Sequence, residues 1–247
     1  MSYARAVKAI NKHHILLVYP IKNAPEPQSF WGVLHPGVQM HWDWSEHADR
    51  RIEKMWHLKD KLCEHRDVVY AKWFRGRATF FSKEIFPAFL RVLGTTQFDE
   101  VLQSRDGDAI YQQLLDNSPQ TPSMLKEAVE MKSKHNRARF DKAMNVLWKR
   151  FFIVGTGEVD EGQFPALAAG ATRHMFEDLW DEAEEMTLAD AQNIVTKSLS
   201  PDSLFLKYLQ RILKSPVNSK KTPLAGTKFA LPRGSDEDFI RQRKSKQ

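Results

Sequence analysis

Four apolar residues, Phe140, Met144, Leu147 and Phe151, recur at spacings of four, three and four. Residues three and four apart share one face of an α-helix, so they form a single stripe. At 100° per residue, His135, Arg139, Lys142, Asn145 and Lys149 gather on the opposite side. Such a helix must pack its apolar face on neighbours and leave the basic face to solvent or to an anionic partner. The flanking sequence supplies the neighbours. Asp108–Asn117 reads as a helix with Ile110, Leu114 and Leu115 on one face. A turn follows at Ser118–Pro122. Thr121 is the candidate N-cap of a second helix to about Met131, with Pro122 at the first position, where its missing N–H costs nothing. The third helix spans Ser133–Phe152. Ile153–Val159 and Gln163–Leu167 then read as a small β-hairpin, with Gly155-Thr156-Gly157 as its tip.

Three short helices, a tight turn between the last two, and a hairpin are the order of a winged helix-turn-helix. An α-helix fits the DNA major groove, and bases along that helix and in the hairpin reach phosphates on both sides. The candidate DNA contacts are therefore Lys134, His135, Arg137, Arg139, Lys142, Asn145 and Lys149 on the third helix and Thr156 at the tip, with Arg139 and Lys142 central.

The rest of the chain is mainly helical. Tyr3–Asn11 is a short helix and His14–Ile21 is extended. Asn23–Gln28 is a loop, and Ser29–Leu34 a helical turn. Ser45 caps a helix to about His65. Val68–Phe74 suits a helix or a strand, with helix the better fit. Ala78–Phe81 is extended, Ser82 caps a helix to Leu93, and Phe98–Ser104 is helical. Thr172–Glu185 is an amphipathic acidic helix, and Thr187–Leu199 and Asp202–Leu213 form a helical pair. The expected fold class is mainly α with small β-hairpins, an α+β chain with winged helix-turn-helix elements. Its expected parts are a Trp-rich N-terminal region 1–105, the winged unit 106–170, a helical region 171–214 and a basic, largely disordered tail 215–247.

Charge is uneven. The 247 residues carry 37 Lys plus Arg and 31 Asp plus Glu. Residues 215–247 hold eight bases against three acids, which leaves the remainder close to neutral. Locally, Lys132–Arg150 contains seven bases and one acid, whereas Glu177–Glu185 contains six carboxylates and no base. The acidic helix is a candidate surface for a protein partner. The longest apolar run, Ile15–Tyr19, is far short of the roughly 20 residues of a membrane span, so no membrane association is expected and the expected location is cytoplasmic, with the nucleoid if the chain binds DNA. No zipper or heptad signal sets an oligomeric state.

Chemistry-bearing motifs are few. A single cysteine, Cys63, excludes an internal disulfide and a multi-cysteine zinc site, and its helical packing position reads as structural. His13, His14, His35, His41, His47, His57 and His65 crowd the N-terminal part, but neither an HExxH nor a Cys–His spacing accompanies them, so no metal and no cofactor is expected. Five of seven Trp, at 31, 42, 44, 56 and 73, read as core rather than as wedges for an unpaired base. No GxSxG, GxxxxGK[ST] or strand-linked GxGxxG is present.

Three stretches carry a resemblance. They are His41-Trp42-Asp43-Trp44 followed by Met55–Leu62, then Val69-Tyr70-Ala71-Lys72-Trp73-Phe74-Arg75-Gly76-Arg77-Ala78, and the block Leu114–Gly157. Together they resemble the AlkZ-like (YcaQ-like) winged-helix DNA glycosylases, and more closely their compact relatives. The resemblance implies binding of duplex DNA by winged helices and excision of alkylated or crosslinked bases. It adds Lys72, Arg75 and Arg77 to the candidate DNA contacts. The family's catalytic signature is Gln-x-Gln or Gln-x-Asp. The nearest string here, Gln39-Met40-His41, departs at its third position, so the resemblance makes Gln39, His41 and Asp43 the catalytic candidates, with His41 or Asp43 to position a hydrolytic water. The alternatives are a non-catalytic transcription regulator and a protein-interaction scaffold.

Overall fold

A computed structural model describes residues 2–42, 49–94, 104–161 and 164–214. In chain order the elements are α1 (Tyr3–His13), β1 (Ile15–Leu17), α2 (Phe30–Leu34), α3 (Arg50–His65), β2 (Val68–Lys72), a 3-10 turn (Phe74–Gly76), β3 (Ala78–Ser82) and α4 (Phe86–Leu93). There follow α5 (Arg105–Asp116), α6 (Pro122–Ala128), a 3-10 turn (Lys134–Asn136), α7 (Arg137–Lys149), β4 (Ile153–Glu161) and β5 (Phe164–Ala171). The chain closes on α8 (Thr172–Met175), α9 (Glu177–Glu185), α10 (Leu188–Ser198) and α11 (Leu204–Leu213). The α+β class stands: helices surround one antiparallel five-stranded sheet of order β1-β3-β2-β4-β5.

The sheet is covered on both sides. Ile15, Leu17, Val69, Ala71 and Phe81 face one apolar cluster, with α4, α7 and the C-terminal helices. Their alternate neighbours Leu16, Val68, Tyr70 and Phe80 face a second, with α1, α2 and α3. The first cluster centres on Trp73, whose ring stacks on Phe151 at 5.9 Å and meets Phe81, Phe89 and Tyr208 edge-on at 5.4, 5.5 and 5.2 Å. Trp31, Trp56 and Trp73 are buried, as the core reading expects. Trp44 lies outside the described residues.

Burial on both faces explains one correction. Val68–Phe74, read as a helix, forms strand β2, pairing with β3 from Val68↔Ser82 to Lys72↔Ala78. A strand with two buried faces shows no polar alternation, so its apolar run looks the same in either state. Ser82 ends β3, its N–H donating to the His14 carbonyl at 2.9 Å, so it does not cap α4. The Thr172–Glu185 helix breaks at Phe176, whose φ of −143° is extended. Two further starts move: α3 begins at Arg50 rather than directly after Ser45, and α5 at Arg105 rather than Asp108, with Ser104 as its cap, whereas the Thr121–Pro122 start holds. Thr121 Oγ1 accepts from Met124 N at 3.3 Å with Pro122 leading α6. Asp49 caps α3, accepting from Arg51 N at 2.9 Å. Expectations on Ser45, on 98–103 and on the tail 215–247 lie outside the described residues.

The hairpin also differs. Gly155-Thr156-Gly157 is not its tip: β4 runs on to Glu161, which pairs with Phe164. Gly155 pairs with Tyr70 of β2, and a Cβ there would lie 2.4 Å from the Tyr70 ring. Gly157, at φ +115°, sits where the β4–β5 register shifts. The two glycines thus serve a close strand crossing and a bulge, the other use of glycine in strands.

A candidate nucleic-acid interface and a neighbouring cleft

Helix α7 and the 3-10 turn before it present the predicted basic face. Phe140, Ala143, Met144, Leu147 and Trp148 are buried, and Lys134, His135, Arg137, Arg139, Lys142 and Asn145 are exposed. Phe151 takes a left-handed φ of 59°, and Phe152 N–H donates to Leu147 O at 3.0 Å, which closes the helix and turns the chain into β4. The bases of this face are not equivalent. Arg139 is held two-pronged by Asp106 of α5, with Nε–Oδ2 at 2.9 Å and Nη2–Oδ1 at 2.5 Å, and also reaches Asn136. That pairing raises the Arg139 pKa and ties α7 to α5. Arg137 faces Asp141 at 3.8 Å, and Lys132 pairs with Glu127 at 2.6 Å. Lys134, Lys142 and Lys149 make no ion pair among the described residues.

Lys149 is half-buried at the C-terminal end of α7. Burial lowers its pKa, and the like charges of Arg150 and Arg211 push it the same way. Arg150 itself is buried, its Nη1 donating to Leu93 O at 3.5 Å. The 3-10 turn Phe74–Gly76 packs against α7. Its shape follows from its sequence. Trp73 and Phe74 anchor it in the core, Arg75 and Gly76 both take positive φ, and Thr79 Oγ1 donates to Arg77 O at 2.9 Å. Arg75 is thereby pushed outward, with Cζ 5.2 Å above the Phe74 ring. Arg77 is half-buried, and burial with nearby Arg75 lowers its pKa. Lys72 is exposed at the end of β2.

Thr156 is the site residue the structure places differently. It lies within β4, half-buried, with Oγ1 donating to Ala168 O at 3.4 Å. The whole hairpin segment 153–171 contains no Lys or Arg, and it carries Glu158, Asp160 and Glu161. Bases in the hairpin, expected to reach phosphates, are absent.

Gln39 lies elsewhere. It lines a cleft of about 420 Å³ with Asn23, Gln28, Ser29, Trp31, His35 and Val38, among others. None of the predicted DNA contacts lines that cleft. Two hydrogen bonds hold its wall: Met40 N donates to Asn23 Oδ1 at 2.8 Å, and Asn23 Nδ2 donates to Met40 O at 3.0 Å. Trp31 Nε1 donates to Val38 O at 2.9 Å. His35 packs on Trp31 with ring centroids 4.6 Å apart, and burial, followed by the nearby Arg51 charge, lowers its pKa. His41 is exposed, and Asp43 lies outside the described residues.

Sequence reasoning missed the pair Lys59–Glu158. Lys59 Nζ of α3 sits 2.6 Å from Glu158 Oε1 of β4 and 3.6 Å from the Trp56 ring centroid, with the two side chains 1% and 8% exposed. Only the position of Lys59 within the Met55–Leu62 stretch pointed there. Cys63, one turn further, is buried, and burial pushes its thiol pKa up, away from reactive thiolate. Among the described residues no cluster of three His, Cys, Asp or Glu is placed to hold a metal ion, and no helix is long and apolar enough to cross a membrane.

The sequence profile of the AlkZ-related family matches residues 1–210, spanning the sheet, α7, the cleft and the buried ion pair. The chain belongs to the AlkZ-related family. Neither the curated proteins nor the solved structures contain a match to it. In this AlkZ-related chain, the resemblance read from His41–Trp44, Met55–Leu62 and Val69–Ala78 falls within the matched span. The last two of those stretches build the α3–β2–turn–β3 centre of the fold.

Proposed function

We propose that this AlkZ-related chain is a duplex-DNA-binding protein of the DNA-repair lineage, with α7 as its groove-facing helix. In this reading residues 106–170 form a winged helix-turn-helix unit, with α5, α6 and α7 as its three helices and β4–β5 as its wing. The observation that carries it is the exposed basic face formed by α7 and the 3-10 turn before it, which presents Lys134, His135, Lys142 and Asn145, with Lys134 and Lys142 making no ion pair among the described residues. Cations left to solvent on a helix face offer counterion release to a phosphate backbone, and an exposed Asn offers a donor and acceptor to a base edge. Arg139, held by Asp106, sets the pose of α7 on α5, and Lys142 becomes the central contact.

The test is fluorescence anisotropy of a plain duplex and of one carrying an N7-alkylated guanine, across a salt series. Salt-steep binding that Lys134→Gln and Lys142→Gln weaken supports the reading. Binding without salt dependence, or none at low salt, refutes it.

A second reading, excision of an alkylated base, is favoured by one observation: Gln39 opens onto a cleft walled by Trp31 and by a His35 held toward its neutral form. It predicts release of the alkylated base and an abasic-site product. The product is lost in Gln39→Ala, while duplex affinity changes little. An active Gln39→Ala protein would remove Gln39 from the chemistry.

A further inference from the structure

The hairpin that would serve as a wing is acidic, and so is the exposed face of α9, where Glu177, Asp178, Asp181, Glu182, Glu184 and Glu185 all reach solvent. A phosphate backbone leaving the α7 face is repelled from both. The cations lead the other way. Beyond Lys149 lies the Phe74–Gly76 turn, and against that turn packs α11. Phe74 and Tyr208 form an aromatic step with ring centroids 4.9 Å apart. Arg75 Cζ lies 5.2 Å above the first ring and Arg211 Cζ 5.0 Å above the second. The Tyr208 hydroxyl is held between the Arg75 backbone N–H and the Arg211 side chain. On α11, Lys207, Arg211 and Lys214 are all exposed, at spacings of four and three, so they line one stripe. Lys207 is engaged by Asp202 at 3.4 Å.

We propose that α11 extends the nucleic-acid surface, with Lys149, Arg75 and Arg211 forming a strip across the Phe74–Tyr208 step that binds the phosphodiester backbone of duplex DNA. The inference rests on the DNA-binding reading of α7 and names residues that the helix-and-wing reading leaves out. Its physical basis is threefold. A guanidinium laid on an aromatic face has lost much of its rotamer freedom beforehand, so less is lost when it meets a phosphate oxygen. Lys149 is half-buried beside the like charges of Arg150 and Arg211, so an anion next to it relieves repulsion already present in the free protein. The Phe74–Gly76 turn meets both α7 and α11, so segments around 75, 149 and 211 that are distant in sequence come together there, which solvated lysines on one helix do not produce.

The experiment uses the full chain, a fluorescein-labelled duplex and a salt series. Lys149→Gln and Arg211→Gln each lower the slope of log affinity against log salt by about 0.9, the amount expected when one phosphate is no longer neutralised, and together by about twice that. Arg211→Lys keeps the wild-type slope because the charge stays. If Arg211→Lys falls as far as Arg211→Gln, the effect is structural and the strip is refuted. If the Lys149→Gln, Arg211→Gln double variant keeps the wild-type slope while Lys142→Gln lowers it, the strip is refuted and the α7 reading stands. If the wild-type chain binds no duplex, both fall. Thermal melts followed by circular dichroism, expected unchanged for Arg211→Gln, confirm that the exposed substitution leaves the fold intact.

Discussion

The Lys59–Glu158 pair gives the most quantitative prediction. It joins α3 to β4 across the second core cluster, with side chains 1% and 8% exposed and the charged atoms 2.6 Å apart. Glu158→Gln keeps the shape and removes the negative charge, taking from the buried Lys59 ammonium its Glu158 counter-charge. Breaking one partner of a buried pair costs about 3–5 kcal/mol, because the remaining charge is uncompensated. The Trp56 ring, 3.6 Å from Nζ, offsets part of this, since a desolvated cation–π contact is worth about 2 kcal/mol. The expected loss is therefore near the lower end, about 3 kcal/mol. With a urea m-value of about 3 kcal/mol/M, the midpoint falls by about 1 M. The paired replacement Lys59→Met, Glu158→Leu removes both charges and is expected within about 1 kcal/mol of the wild type, since apolar isosteres of buried pairs are often neutral or better. Urea unfolding of the singles and the double, analysed as a cycle, measures this. A Glu158→Gln loss below about 1 kcal/mol, or a double variant no better than the sum of the singles, would refute the account.

Further outcomes follow from the same structure. Gly155→Val places methyl groups against the Tyr70 ring and is expected to cost about 1–3 kcal/mol, read as a lowered thermal midpoint; an unchanged midpoint would mean that β2 and β4 do not cross there as described. His35 is depressed below its ordinary pKa by burial, so the unfolded chain binds the proton first. Stability is complete above the ordinary pKa of about 6.5 and declines as pH falls from there toward the folded value. His35→Asn should flatten that acid decline in urea midpoints taken between neutral and mildly acid pH, and an unaltered decline would assign it to other groups. Lys134→Gln with Lys142→Gln should reduce the salt slope of duplex binding by about 0.9 for each phosphate left unneutralised, with no change in melting temperature.

Much of the local structure could be read from residue patterns. The 4-3-4 stripe placed α7, Thr121-Pro122 placed the start of α6, and the basic and acidic segments identified two exposed faces of opposite sign. These are short-range properties, set by helical periodicity and by the satisfaction of terminal N–H groups. Val68–Phe74 could not be read the same way, because its period vanishes when both faces of the strand are covered. Gly155 and Gly157 misled for a related reason. Glycine marks a turn or a close approach equally well, and only the ring of Tyr70, 85 positions earlier in sequence, decides which. Within the site, Arg139 looked like the central contact from its helical angle alone. Its engagement depends on Asp106, which sits on another helix and at no helical spacing from it.

By itself, then, the sequence determined which segments are amphipathic, that α6 begins at Thr121-Pro122, and that the chain carries a basic helix beside an acidic one, because those properties depend on neighbours within a few residues. It also held the motifs that tie the chain to the AlkZ-related family. Only the tertiary structure decided that β4 joins β2 to make one sheet, that Lys59 meets Glu158 in the interior, that Gln39 opens on a cleft, and that Phe74 and Tyr208, with Arg75 and Arg211 over their rings, meet in one aromatic step. Each of these is a long-range pairing. Such a pairing forms when packing buries enough apolar surface to offset the entropy of closing the chain between its partners, and no periodicity along the chain records it.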